Sequence, residues 1–345
     1  FTRTVKGTWA KQFDPVVTAA TLFPGFRPEE GGLTALAFSS DFANNYKAFL
    51  FYTFKDQSGQ VQNQVSVTTL TETQGKLIGT KPQPIYTANT PGGASHQIQE
   101  GIGVKVQNQP HLLFLLGEGF MGERAQDENL EAGKLILIQE DGSTPLGQRP
   151  FTNPKVQALG IRNAFTLTAN PFDPSGRIMI SDTGPDRYDR LIYETLYSPT
   201  GETIPKFNFG WNGVEDSLIN NITVNGERPT HNPVIFSLPE TRTFTGIAFH
   251  PGGTAGIPKS DQSSQSVLAT IFGKTGVPDP SVGKEIWLGR FTLKNSSANF
   301  LGQPTISFEP IIKRNPQASG KLGNPIGLEI DTQTDNFLFA DILEG

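Results

Sequence analysis

The sequence predicts an all-β chain of the propeller type, and three observations carry that prediction. Composition is the first: 37 glycines and 26 prolines against only 18% charged residues read as many short strands joined by turns. The second is the heavy use of phenylalanine, 25 residues, a side chain suited to packed sheet faces. The third is repetition. One pattern, Gly or Pro followed by a short apolar strand, a turn and a second apolar strand, recurs five times, and no convincing helical run interrupts it.

The five repeats occupy 32–54, 101–119, 164–184, 245–273 and 325–343, with starts 69, 63, 81 and 80 residues apart. A standard blade takes roughly 40–50 residues, so these blades are expected to carry long loops. In each repeat the first strand alternates weakly and the second is a nearly continuous apolar run, as in inner strands packed on both faces. Outer strands are predicted at 133–138 (GKLILI) and 285–291 (EIWLGRF), with Glu140-Asp141-Gly142 as a hairpin turn. The last repeat supplies two inner strands, whereas 1–5 and 9–13 resemble outer strands. The two ends are therefore expected to complete one blade together, in a single domain covering 1–345.

Charge and hydropathy exclude several classes of function. The net charge of −5 is spread along the chain without a basic patch, so no nucleic-acid partner is expected. There is no run of 18 or more apolar residues, hence no membrane span. Cysteine is absent, which removes disulfides, thiolate metal sites and cysteine nucleophiles. Residue 1 opens directly into a strand-like segment, so any leader peptide is expected to have gone already. A surface rich in Asn, Gln, Thr and Ser and poor in Lys points to a periplasmic or extracellular protein. No Gly-x-Ser-x-Gly elbow, His-Glu-x-x-His pair or phosphate loop is present.

Four segments carry a resemblance: GGLTALAFSSDF (31–42), GERAQDENLEAGKLILIQEDGS (122–143), LGIRNAFTLTANPFDPSGRIMISDTGP (159–185) and NFGW (208–211). In this order they resemble the soluble glucose dehydrogenase and aldose sugar dehydrogenase family, which uses pyrroloquinoline quinone (PQQ). The resemblance implies a six-bladed propeller, of which five repeats are counted here, the family's first being absent before Gly31. It also implies PQQ and Ca²⁺ as cofactors and a small sugar, an aldose, as substrate. The anomeric hydroxyl would be oxidised with hydride transfer to the quinone, and electrons would pass on to a quinone or cytochrome.

Carried over residue by residue, the resemblance makes His96 the general base, a task that suits an imidazole because its pKa lies near working pH. Ser95 stands before it where the family has Asp. The plain alternative is a loop histidine bonding a neighbour. Arg162 and Asn163, in Gly-Ile-Arg-Asn, are expected to face the quinone, since a planar guanidinium pairs with carboxylates or stacks on flat rings. The alternative is an arginine that bonds loop carbonyls. Gly184 and Pro185 match a loop whose carbonyls hold Ca²⁺, with Asp189 close enough to add a carboxylate; an ordinary turn is the alternative. Glu30 falls where the family lines its channel, and Lys274 near a lysine that binds the quinone's carboxylates, though a solvated charge explains either residue. Lys321 replaces one arginine of the family's Arg-x-Arg clamp, and Gly323 stands in place of the second.

Two other functions stand beside this one, and the residues suit only the first. One is a non-catalytic secreted propeller of the same family that binds glycan or a protein partner, as the altered clamp suggests. The other, a Ca²⁺-dependent lactone hydrolase, needs a central Asp/Glu/Asn cluster that the sequence does not assemble. His111, His231 and His250 lack metal-ligand spacing, and His111 and His250 are expected to be structural.

Overall fold

In the computed structural model the described residues are 2–3, 9–10, 15–17, 32–272 apart from short gaps, and the strands at 285–292, 305–313, 324–331 and 336–342. Two short strands, β1 (Thr2–Arg3) and β2 (Trp9–Ala10), pair antiparallel near the start of the chain. The first large sheet runs β3 (Leu33–Phe38), β4 (Lys47–Lys55), β5 (Val61–Thr73) and β6 (Lys76–Gly79), with β7 (Gln83–Thr87) also on β5. The second is built from β8 (Ile98–Val106), β9 (Gln109–Leu116), β10 (Lys134–Gln139) and β11 (Val156–Leu159). The third begins with β12 (Ala164–Ala169), β13 (Arg177–Asp182) and β14 (Asp189–Thr195).

Before the third sheet is finished the chain returns to the second. There β15 (Phe207–Asn208) lies parallel to β11, and β16 (Thr223–Val224) pairs with β15. Only then does β17 (Val234–Leu238) complete the third sheet against β14. The fourth sheet is β18 (Thr243–His250), β19 (Ser264–Phe272), β20 (Glu285–Thr292) and β21 (Thr305–Lys313). A last hairpin, β22 (Asn324–Asp331) and β23 (Asn336–Ile342), follows.

The five predicted repeats are the five innermost hairpins, β3–β4, β8–β9, β12–β13, β18–β19 and β22–β23. Their first strands lie against one another in chain order, the arrangement of propeller blades around an axis. The predicted outer strands 133–138 and 285–291 are β10 and β20. Among the described residues β1–β2 and β22–β23 are separate two-stranded sheets, and no ladder joins the two ends into the expected shared blade.

The continuous apolar runs follow from packing on both faces. On β9, Leu112, Phe114 and Leu116 enter the core shared with the first sheet, while Leu113 and Leu115 enter the core shared with the third. On β13, Ile178 and Ile180 face the second sheet and Met179 the fourth. Each of these side chains is at most 1% exposed, so each strand glues two interfaces, at about 1.5–3 kcal/mol per buried side chain. Among the described residues helix is confined to single turns at Phe42–Asn45, Gly122–Gln126 and Ser217–Asn220. Among the described residues no helix is long and apolar enough to cross a membrane.

Candidate functional site

Antiparallel pairing brings the start of each first inner strand to the same end as the finish of its partner. At that end of the second and third sheets, His96 precedes β8, Glu118 follows β9, Arg162-Asn163 precede β12 and Gly184 follows β13. Four loops distant in sequence therefore converge.

His96 is held from both sides. Its backbone is left-handed (φ 58°), an uncommon conformation for a residue with a side chain, and its carbonyl accepts from the Gly119 N–H at 3.1 Å. Only glycine permits this approach of the two loops: a Cβ on Gly93 would lie 1.5 Å from the Gly119 carbonyl oxygen. The imidazole is 7% exposed, and its Nδ1 sits 2.6 Å from Oε1 of Glu118, itself 1% exposed. Because a carboxylate only accepts, Nδ1 carries the proton in this pair. Among the described residues nothing bonds Nε2. Glu118 is fixed in turn: its Oε2 accepts from the Met121 N–H, and its own N–H donates to the Arg162 carbonyl at 3.1 Å. The ring of Phe120 stands edge-on to His96, with centroids 5.1 Å apart.

Arg162 and Asn163 rest on a buried ion pair. Asp182 accepts from the backbone N–H groups of Arg162 (3.1 Å) and Asn163 (2.9 Å), and Arg190 donates to it through Nη2 at 2.7 Å. Both charged side chains are 0% exposed. The remaining guanidinium donors of Arg190 reach the carbonyls of Gly160 (3.0 Å), Leu218 (2.5 Å) and Phe209. Above this base the Arg162 guanidinium lies 5.4 Å from the Trp211 ring and donates through Nη1 to the carbonyls of Thr183 (3.0 Å) and Gly184 (3.3 Å). Three polar atoms here are buried without a partner: Nε of Arg162, Oδ1 of Asn163 and Nε1 of Trp211.

The Gly184 loop is tight, since a Cβ there would lie 1.8 Å from the Arg187 carbonyl. Asp189 lies beneath it, 1% exposed, with Oδ1 accepting from the Gly184 N–H at 2.7 Å, and burial pushes its carboxyl up to about 7. Among the described residues no group of three or more His, Cys, Asp or Glu has a metal-binding arrangement.

The structure thus brings His96, Arg162, Asn163, Gly184, Pro185 and Asp189 into one neighbourhood. Glu30, Lys274 and Lys321 lie outside the described residues, as does His231. His111 and His250 have plain bonding roles: His111 joins the Gln109 carbonyl to the Leu146 N–H, and His250 Nδ1 accepts from the Gly252 N–H. Three residues of the site were not picked out from the sequence: Glu118, Asp182 and Arg190. Each is a charged residue at a strand end, which on sequence alone reads as a solvated charge.

Comparison with known proteins places this geometry. The family model for glucose / sorbosone dehydrogenases matches residues 11–254. The quinoprotein glucose dehydrogenase B of Acinetobacter calcoaceticus is 27% identical over 207 residues, which cover 54% of this chain and 40% of that protein. This chain therefore spans well under two thirds of that relative's length. Among solved structures, a glucose dehydrogenase superposes with a TM-score of 0.65 at 18% identity, over 92% of this chain and 81% of its own. The PQQ-bound form of an aldose sugar dehydrogenase from Streptomyces coelicolor superposes with a TM-score of 0.56 at 20% identity, over 88% and 72%. These structural likenesses establish the propeller fold.

Proposed function

The chain belongs to the glucose / sorbosone dehydrogenase family, and from that premise we propose that it is a PQQ-dependent aldose dehydrogenase with His96 as its base. One observation carries the reading. The imidazole is clamped through Nδ1 by a buried carboxylate at 2.6 Å, which leaves Nε2 to act, beside a guanidinium and an amide that each retain a buried unpartnered polar atom.

The donor set fits PQQ. Nε of Arg162 and Oδ1 of Asn163 offer one donor and one acceptor, and the flat guanidinium suits a planar polyanion. PQQ held there supplies the two-electron acceptor for hydrogen leaving the anomeric carbon. Nε2 of His96 takes the proton of the anomeric hydroxyl, and the imidazolium so formed is stabilised by the Glu118 carboxylate, which also holds the tautomer. Asp182 and Arg190 keep Arg162 and Asn163 in register from below. Calcium is a different matter: the Gly184 carbonyl already accepts from the Arg162 cation, so the turn as folded does not fit a second cation at that oxygen. Asp189 gives Oδ1 to the Gly184 N–H, its Oδ2 is buried without a hydrogen-bond partner, and no group of three or more His, Cys, Asp or Glu surrounds it among the described residues. No step is therefore assigned to a metal.

The substrate in this reading is a small aldose, and the electrons leave to a quinone or a cytochrome. A periplasmic or extracellular location agrees with the polar, lysine-poor composition. The test is reconstitution of the purified chain with PQQ, with and without added Ca²⁺, followed by dye reduction with a panel of aldoses. Activity that disappears in His96→Ala is the expected result. Absence of both quinone binding and dye reduction would refute the proposal.

A further inference from the structure

Phe120 is an oddity that the proposed chemistry does not use. Its backbone is left-handed (φ 62°), a region that costs an L-residue about 1–2 kcal/mol. Its side chain is 65% exposed, so burial does not offset that cost. Strain kept at an exposed aromatic points to function, the direction in which inference from a backbone outlier properly runs. The conformation is imposed by its neighbours, because Gly119 donates to the His96 carbonyl and Met121 to the Glu118 carboxylate. The clamp that orients the base thus also holds this ring out beside it.

The ring has apolar company. Met121 is 43% exposed and Val214 61%, and their loops touch where a Cβ on Gly122 would lie 2.2 Å from the Gly213 Cα. The Phe120 ring therefore adjoins an imidazole whose Nε2 makes no hydrogen bond among the described residues, and Met121 and Val214 are exposed on the same pair of touching loops. A pyranose matches both halves of this surface. Its hydroxyls lie around the rim, whereas each face of the ring carries axial C–H bonds that pack on an aromatic.

We propose that Phe120 is a specificity-determining residue, the platform on which the C–H face of an aldopyranose packs while its anomeric hydroxyl meets His96. The inference rests on the sugar-oxidising reading above. It adds the requirement of an unobstructed axial C–H face on the sugar, and it gives Phe120 a share of binding and none of proton transfer.

Saturation-transfer NMR with methyl β-D-glucopyranoside, which has no free anomeric hydroxyl to oxidise, tests this on the purified chain with and without PQQ. The expected result is saturation concentrated on the axial protons of one ring face. Affinity should fall about tenfold in Phe120→Ala and persist in Phe120→Trp, the loss expected for one aromatic contact. In turnover, Phe120→Ala should raise KM and leave the pH profile unchanged. If Phe120→Ala binds the glycoside as wild type does while His96→Ala weakens it, the platform is wrong and the sugar site stands. If Phe120→Ala slows only dye reduction at saturating sugar, the ring serves the electron acceptor and the proposal falls. No saturation of the glycoside in either wild-type preparation overturns the platform and the sugar reading together.

Discussion

The two sides of the site are built by opposite rules. Its floor, Asp182 and Arg190 beneath Arg162 and Asn163, is fully buried, and its charges are spent on one another and on three backbone carbonyls. Its tight backbone positions, Gly160 (φ 77°) and Gly210 (φ 89°), are glycines. The rim, His96 and Phe120, puts bulky side chains in the same left-handed region, and one of them stands in solvent. The floor is organised for stability. The rim accepts strain in exchange for placement. Substitutions should separate along that line, floor variants losing the fold and rim variants losing chemistry.

The strongest way to break this contrast is Arg190→Met. It leaves the Asp182 carboxylate buried without its ion-pair partner and takes the guanidinium donor away from three carbonyls, so unfolding by urea should show a loss of about 3–5 kcal/mol. A loss under about 1 kcal/mol would mean that the floor is not what holds the loops. On the rim, Glu118→Gln should cut turnover about a hundredfold or more while the urea midpoint moves little, because a neutral amide no longer holds the imidazole in its working tautomer. Equal losses in stability and activity would erase the distinction.

Lys134 sharpens the comparison as a second buried cation, held under the turn at Gly122–Gln126. It is 0% exposed on β10, its Nζ donates to the carbonyls of Arg124 (2.8 Å) and Ala132 (2.6 Å), and burial lowers its pKa from 10.5 to about 7. Between those two values the unfolded chain binds the proton and the folded chain does not, so stability should rise as pH increases from about 7 to about 10. Lys134→Met should abolish that slope. Its cost should be about 1–3 kcal/mol near pH 9 and smaller at pH 7 and below. Thermal melts across that range decide it, and parallel curves for the two proteins would show that Lys134 does not titrate there.

The inner hairpins were legible because each second strand is sealed on both faces, which writes an unbroken apolar run into the sequence, as in Leu112 to Leu116. Arg162 and Asn163 were legible through Gly-Ile-Arg-Asn, though the structure also realises the plainer reading, since Nη1 of Arg162 bonds two loop carbonyls. The supports were not. Glu118 meets His96 across 22 residues and Asp182 meets the Arg162 N–H across 20, and no local pattern marks such pairings. NFGW drew notice as a motif, but that Phe207–Asn208 would add to the second sheet in parallel with β11 depends on a return of the chain that no turn residue signals.

That return has a mechanical consequence. The β15–β16 segment belongs by connectivity to the third sheet and by hydrogen bonding to the second, so neither sheet slides off the other until the parallel pairing with β11 is sheared. The remaining connections between neighbouring large sheets are simple serial links. Pulled from its two ends, the chain should shed its outlying hairpins and the first and fourth sheets one by one. The second and third should yield last, in a single step, and the clefts for base and guanidinium lie within that clasped pair.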